Sequence, residues 1–273
     1  MRKRIFSLLL VAVMLVGVVA SVGAITFGQP DNGAHPYVGT LLFVQDGVGY
    51  YSCTGTLISS RVMLTAGHCV EGESGLPNDV TYVRFDENAL AGLDSAQNVQ
   101  SWLNRDWIKA KSVIAHPQYE SFAQFPNTYD VGLVILNKPV NLSQYGALPE
   151  IGLLDRVLAQ TGNGSNWFTA VGYGSQGVIN PFAQDDWARY RTTTRLIELS
   201  SNSTGSSQGA KFTNNPGGGS GGTCFGDSGG PVFYNDTNIV TAVVSWGITP
   251  CIGVDYQFRI DTAVAQDFIN SYR

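Results

Sequence analysis

A succession of short apolar segments, rich in Val, Ile, Thr, Tyr and Phe and closed off by Gly, Asn, Asp or Pro, restricts this chain to a β architecture. One set falls at 37–43, 50–58, 62–65, 80–85, 112–115 and 131–136; a second falls at 168–173, 190–199, 232–233, 239–246 and 256–260. No segment between them carries a helical period, so a sandwich or a barrel is expected. The exception is the last segment. Asp261 can cap a helix running to Asn270 that puts Val264, Phe268 and Ile269 on one face. Between the two strand sets, the stretch from Asn137 to about Leu153 is rich in Pro, Gly, Asn and Ser, and two all-β domains flanking it are the economical reading. Residues 200–222 are dominated by Ser, Asn and Gly and read as a long surface loop.

The first residues follow a different logic. Met1-Arg2-Lys3-Arg4 is basic, residues 5–20 are apolar without a charge, and Val22-Gly23-Ala24 presents residues that a signal peptidase accepts. Cleavage after Ala24 is expected, leaving Ile25 as the mature N-terminus. The apolar run is shorter than the roughly 20 residues a membrane-spanning helix needs, so a removed leader is favoured over a retained anchor. The expected product is a secreted, extracellular chain, monomeric and without stable membrane association. A net charge of -5, with no Lys/Arg stripe after residue 4, provides no surface for nucleic acid.

An exported chain meets an oxidising compartment, where Cys53, Cys69, Cys224 and Cys251 are expected to pair in one of three ways. No Cys-x-x-Cys occurs and His35, His68 and His116 are scattered, so no metal site and no cofactor are expected.

A serine hydroxyl attacks a carbonyl only when an imidazole takes its proton, and a buried carboxylate best fixes that imidazole's tautomer. Ser228 lies in Gly226-Asp227-Ser228-Gly229-Gly230-Pro231. His68 ends a strand, beside a cysteine, in Thr65-Ala66-Gly67-His68-Cys69. Asp130 opens an apolar strand, where an acid without a partner would be costly to bury. His35 and His116, each beside a proline, have no such company and read as structural.

These motifs, in the order His, Asp, Ser, resemble the chymotrypsin and trypsin family of serine peptidases, here in a secreted form of bacterial type. Families that reached the same chemistry on other folds order the three residues differently. The resemblance spans the chain from Ile25 to the terminal helix. It implies an all-β fold of two packed six-stranded antiparallel β-barrels with a C-terminal α-helix, divided as signal peptide 1–24, N-terminal barrel 25–145 carrying His68 and Asp130, and C-terminal barrel 146–273 carrying Ser228. It also implies a secreted serine endopeptidase acting on polypeptides through an acyl-enzyme. An inactive peptide- or surface-binding relative and an esterase with the same triad are the alternatives.

The resemblance further implies particular roles. His68 is the general base, Asp130 its orienting carboxylate and Ser228 the nucleophile, with the amides of Gly226 and Ser228 forming the oxyanion hole. Asp227 pairs with the α-amino group of Ile25; no Arg or Lys stands directly before Ile25, as a trypsin-cut zymogen would require, so the signal-peptide cut itself would expose that group. Cys53 pairs with Cys69 and Cys224 with Cys251. Ser245-Trp246-Gly247 is the edge that pairs with substrate backbone. Gly222, six residues before the nucleophile, is the pocket floor; with Thr223 and Gly247 it suggests an open, weakly polar pocket suited to apolar side chains. A shift of one residue in the segment 252–256 would instead bring Asp255 into it, which keeps a basic preference open.

Overall fold

The computed structural model describes residues 25–45, 48–71, 79–121, 127–160, 166–177, 186–199 and 207–273. The expected signal peptide, residues 1–24, lies outside them, as do residues 200–206 of the expected surface loop.

Strands β2 (Val38–Gln45), β3 (Val48–Leu57), β4 (Val62–Thr65), β5 (Val80–Arg84), β6 (Ile108–Ala115) and β7 (Gly132–Leu136) close into a first barrel in the order β2-β3-β4-β7-β6-β5. Strands β8 (Trp167–Gly172), β9 (Tyr190–Glu198), β10 (Gly209–Asn214), β11 (Pro231–Tyr234), β12 (Val240–Gly247) and β13 (Gly253–Arg259) form a second antiparallel ring, closed by β8–β9 and β8–β11 pairing. The alternation in β9 gives the physical reason. Tyr190, Thr192, Thr194 and Leu196 are buried while the residues between them face outward, the period of two that a barrel wall requires.

The surface-loop reading of residues 200–222 is corrected at β10. Ala210 and Phe212 are fully buried, and β10 pairs with both β9 and β13. Ser- and Gly-rich flanks hid a six-residue strand. Besides the short turn α1 (Gly67–Glu71), the body contains helices α2 (Val99–Asp106) and α3 (Leu153–Ala159), which the absence of a helical period did not foretell. In α2 only Trp102 and Leu103 are buried, and a reciprocal capping box between Asn98 and Ser101 holds its start.

The terminal helix α4 (Ala263–Asn270) begins later than expected, with Thr262 as its cap. The Asp261 carboxylate is occupied elsewhere, accepting from the Leu154 amide at 2.7 Å and from Arg259. Ala265, Phe268 and Ile269 face the protein while Val264 is 38% exposed, a correction to the expected face.

Each end of the described chain crosses to the far barrel. The short strand β1 (Gln29–Pro30) pairs with β9, and Ile25 is buried in the second barrel's core. Phe268 and Ile269 of α4 join the apolar cluster that runs through both barrels, and Phe268 packs against the His116 ring, between β6 and β7, at 5.1 Å. Between the barrels, the buried Arg189 donates from Nε to Asp31 Oδ2 at 2.9 Å, and from its terminal nitrogen to the Val38 and Phe85 carbonyls and the Tyr173 hydroxyl. His35 sits against Asp31 at 2.5 Å and stacks on Phe233, a structural role as read from sequence. Among the described residues no helix is long and apolar enough to cross a membrane.

Candidate active site

β4 ends at Thr65 and the chain turns at once into α1, which places His68 on the face of the first barrel that meets the second. Asp130 comes from the other side of β4, just ahead of β7, after a left-handed turn at Tyr129 with φ +50°. Because β4 and β7 are paired from Thr65–Gly132 onward, the two residues arrive together from positions 62 apart in sequence.

Asp130 is fully buried, and three groups satisfy it. The His68 backbone N–H donates to Oδ1 at 2.8 Å, and His68 Nδ1 lies 3.1 and 2.9 Å from the two carboxylate oxygens. The Ser245 hydroxyl, from the second barrel, donates to Oδ2 at 2.5 Å. Burial alone would lower the His68 pKa, but the charge and hydrogen bond of Asp130 outweigh it and hold the imidazole above its ordinary value of 6.5.

Ser228 belongs to a loop anchored on both barrels. Its carbonyl accepts from the Thr54 amide at 2.8 Å, and the Thr54 hydroxyl donates to the Gly226 carbonyl at 2.9 Å. Cys53 and Cys69 are bonded to each other, and a His68 ring nitrogen lies within 4.8 Å of both sulfurs, with Cys69 Sγ 3.6 Å from the Ser228 carbonyl. This disulfide therefore ties the His68 turn to β3 and sets it against the serine loop. Both sulfurs are engaged in it, so the cluster offers no thiolate to a metal. A second disulfide joins Cys224 to Cys251.

The amides of Gly226 and Ser228 have no acceptor among the described residues. Gly226 holds φ +93°, and a Cβ there would meet Gly174 Cα at 2.9 Å, so only glycine suits the turn. Asp227 between them is fully buried, accepting from the Gly174 and Cys224 amides at 2.8 and 2.9 Å. In the intact chain Ile25 is part of a continuous backbone, and its side chain is buried while Thr26 bridges to Gly222.

A cleft of about 250 Å³ opens beside Ser228, lined by Thr223, Cys224, Phe225, Cys251 and residues 244–249. Thr223, Ser245, Trp246 and Gly247 line it, but Gly222 does not. A Cβ at Gly222 would fall 1.9 Å from the Asn214 side chain, and the Gly222 amide is bonded to Thr26. The space expected to be a pocket floor is filled by Asn214. Asp255 lies behind the wall instead, its Oδ2 accepting from the Thr223 amide and hydroxyl at 2.8 Å each. Sequence reasoning missed Phe225, which is 59% exposed at the rim; a bulky apolar residue between a cysteine and a glycine was the signal.

Beyond Val243, β12 loses β11 as a neighbour but stays paired with β13 through Gly247–Asp255. Residues 245–247 therefore present one edge with no strand beside it among the described residues. Trp246 stiffens this edge by stacking on Tyr256 with ring centroids 3.7 Å apart.

The Trypsin family model matches residues 25–269. Trypsin-1 of Gadus morhua is 29% identical over 205 residues, covering 73% of this chain and 72% of that protein. Serine protease 1 of Drosophila melanogaster is 29% identical over 235 residues, covering 82% and 76%. The solved structure of HL collagenase shares the fold, with a TM-score of 0.66 and 21% identity over 90% of this chain and 97% of that one.

Proposed function

Because the chain belongs to the trypsin family and is a serine-type endopeptidase, we propose that Ser228, His68 and Asp130 are its catalytic triad and that it acts on polypeptides outside the cell. The observation that carries this reading is the Asp130 carboxylate, fully buried and receiving both the backbone and the ring of His68. Held this way, the imidazole keeps Nδ1 toward the acid and leaves Nε2 to take a proton. The Ser228 hydroxyl attacks the peptide carbonyl, His68 accepts its proton, and the carbonyl oxygen, now negative, is received by the amides of Gly226 and Ser228. His68 then protonates the departing amine, and water releases the acyl group from Ser228 by the same route in reverse. Substrate backbone adds as a strand along the open edge at residues 245–247.

Secretion is the second part of the reading. Removal of residues 1–24 would create an α-amino group on Ile25, whose side chain is already buried in the second barrel. Asp227 is the anion for that amine, and the ion pair would brace the loop that carries the Gly226 and Ser228 amides. N-terminal sequencing of secreted protein tests this part, and any start other than Ile25 rejects it.

For the triad, a mixed peptide library is digested by wild type and by Ser228→Ala. Removal of the nucleophile is expected to cut kcat/KM on the order of 10⁴-fold or more. Undiminished cleavage by the variant excludes Ser228 as the nucleophile.

A further inference from the structure

Gly222 brings no acid to the cleft and does not line it, yet an acid lies immediately behind two residues that do. Asp255 Oδ2 is held by the amide and hydroxyl of Thr223, and Asp255 stands opposite Gly247 in the β12–β13 register. A Cβ on Gly247 would come 3.8 Å from Asp255 Cβ, so the absence of a side chain at 247 keeps the wall thin. Asp255 is 2% exposed, and its Oδ1 is buried without a hydrogen-bond partner among the described residues. A carboxylate oxygen left in this state is expensive, and native proteins retain such groups where something is gained from them. Apolar side chains line much of the cleft, Val244 and Trp246 among them, and Phe225 and Ile248 are exposed beside Ser228, Ser245 and Thr249.

We propose that Asp255 makes this cleft a two-state selector of the side chain preceding the cleaved bond. As a carboxylate it draws the cationic head of Lys or Arg; as the neutral acid it leaves the cleft to aromatic and large aliphatic side chains. The proposal rests on the peptidase reading of the same site.

The surroundings of Asp255 support both states. Burial pushes its carboxyl up to about 6, against the opposing pull of the Thr223 amide and hydroxyl, the Gln257 side chain and its own amide. Across the strands it faces Phe212 on β10 and Gly247 on β12, neither of them ionisable. Two charged groups of the neighbouring segments, Asp227 and Lys211, are engaged elsewhere. Asp227 is bonded to the Gly174 and Cys224 amides, and Lys211 lies over the Tyr256 ring and against Glu198. Among the described residues no ion pair holds Asp255 in one form, so a bound substrate cation would bring it a full opposite charge.

The test uses two peptides identical except for Lys or Phe before the cleaved bond. Both depend on His68 equally, so the ratio of their kcat/KM values cancels its titration and reports the free enzyme's Asp255. For the wild type the Lys-to-Phe ratio is expected to rise on the order of 10- to 100-fold from about pH 5 to about pH 8, the range a hydrogen bond to a charged group spans. Asp255→Asn is expected to hold the ratio low and flat. A pH-independent ratio in the wild type, or an unchanged Lys preference in Asp255→Asn, overturns the proposal, and the wild-type series decides alone if that variant does not fold. Calorimetry with benzamidine, an aromatic amidinium, on Ser228→Ala separates this inference from the peptidase reading. Binding that strengthens with pH and is lost on adding Asp255→Asn supports it even if no peptide is cleaved; absent or pH-independent binding rejects it.

Discussion

The Ser245 hydroxyl of the second barrel donates to Asp130 Oδ2 of the first at 2.5 Å. A carboxylate at the base of one barrel is thus completed by the other, and the His68 orientation depends on how the two barrels are docked. Ser245 was expected only as part of the substrate-binding edge; its side chain faces inward.

Replacing Ser245 with Ala leaves a buried charge one donor short while the His68 contacts remain. The loss of a hydrogen bond to a charged group is about 1.5–3 kcal/mol. Denaturant midpoints should fall accordingly and kcat/KM should drop by about tenfold or more, well short of the loss in Ser228→Ala. An active, fully stable variant would mean that the hydroxyl does not support Asp130.

The pH dependence of kcat/KM follows from the raised His68 pKa. A base must be neutral to accept a proton, so activity falls as pH drops through a midpoint above 6.5. Asp130→Asn removes the charge that raises it, and the midpoint should move down while the maximal rate falls on the order of 10⁴-fold. Rate profiles from acid to neutral pH on both proteins check the direction, and an unmoved midpoint would contradict it.

Gly226→Ala places a Cβ 2.9 Å from Gly174 Cα on a backbone at φ +93°. The loop must shift and carry its amide with it. Loss of one oxyanion donor costs about 10²–10³ in kcat. Steady-state kinetics should put the defect in kcat rather than KM, and a KM-only effect would place the amide away from the reacting carbonyl.

Asp31 links acid stability to the barrel interface. Burial would raise its pKa, but His35 and Arg189 overcome this and hold it at about 2, against 3.8 for the free group. A depressed carboxylate contributes stability that is present above pH 3.8 and lost as pH falls toward 2, here about 2 kcal/mol. Asp31→Ala, which strands the buried Arg189, should cost about 3–5 kcal/mol at neutral pH. The gap between variant and wild type in denaturant titrations should narrow below about pH 4, and a gap that persists to pH 2 would assign the pair no role.

Much of this candidate site was legible because each residue of the proposed triad carries its setting with it: His68 between a strand and a cysteine, Asp130 at the head of an apolar strand, Ser228 among glycines that permit a tight loop. The same holds for β4, whose four buried residues match their predicted span. What escaped was set by partners distant in sequence. Phe212 reads as part of a polar loop until β9 and β13 flank it, and Gly222 reads as a pocket floor until the Asn214 side chain fills the space it leaves. The place of Asp255 depends on its register opposite Gly247, which no local pattern encodes. Helix α2 could have been found from Asn98 and Ser101 at capping-box spacing, had its apolar face been wider than two residues.

The crossed ends of the chain set a timetable. The first barrel is complete in strands by Leu136, but Phe268 and Ile269, far later in the chain, join the apolar cluster that includes its core. The first barrel's strands are therefore made well before the helix whose Phe268 packs on the His116 ring. Ser228 and Ser245 also follow His68 and Asp130 in synthesis, so a partly made chain lacks the second half of the proposed site.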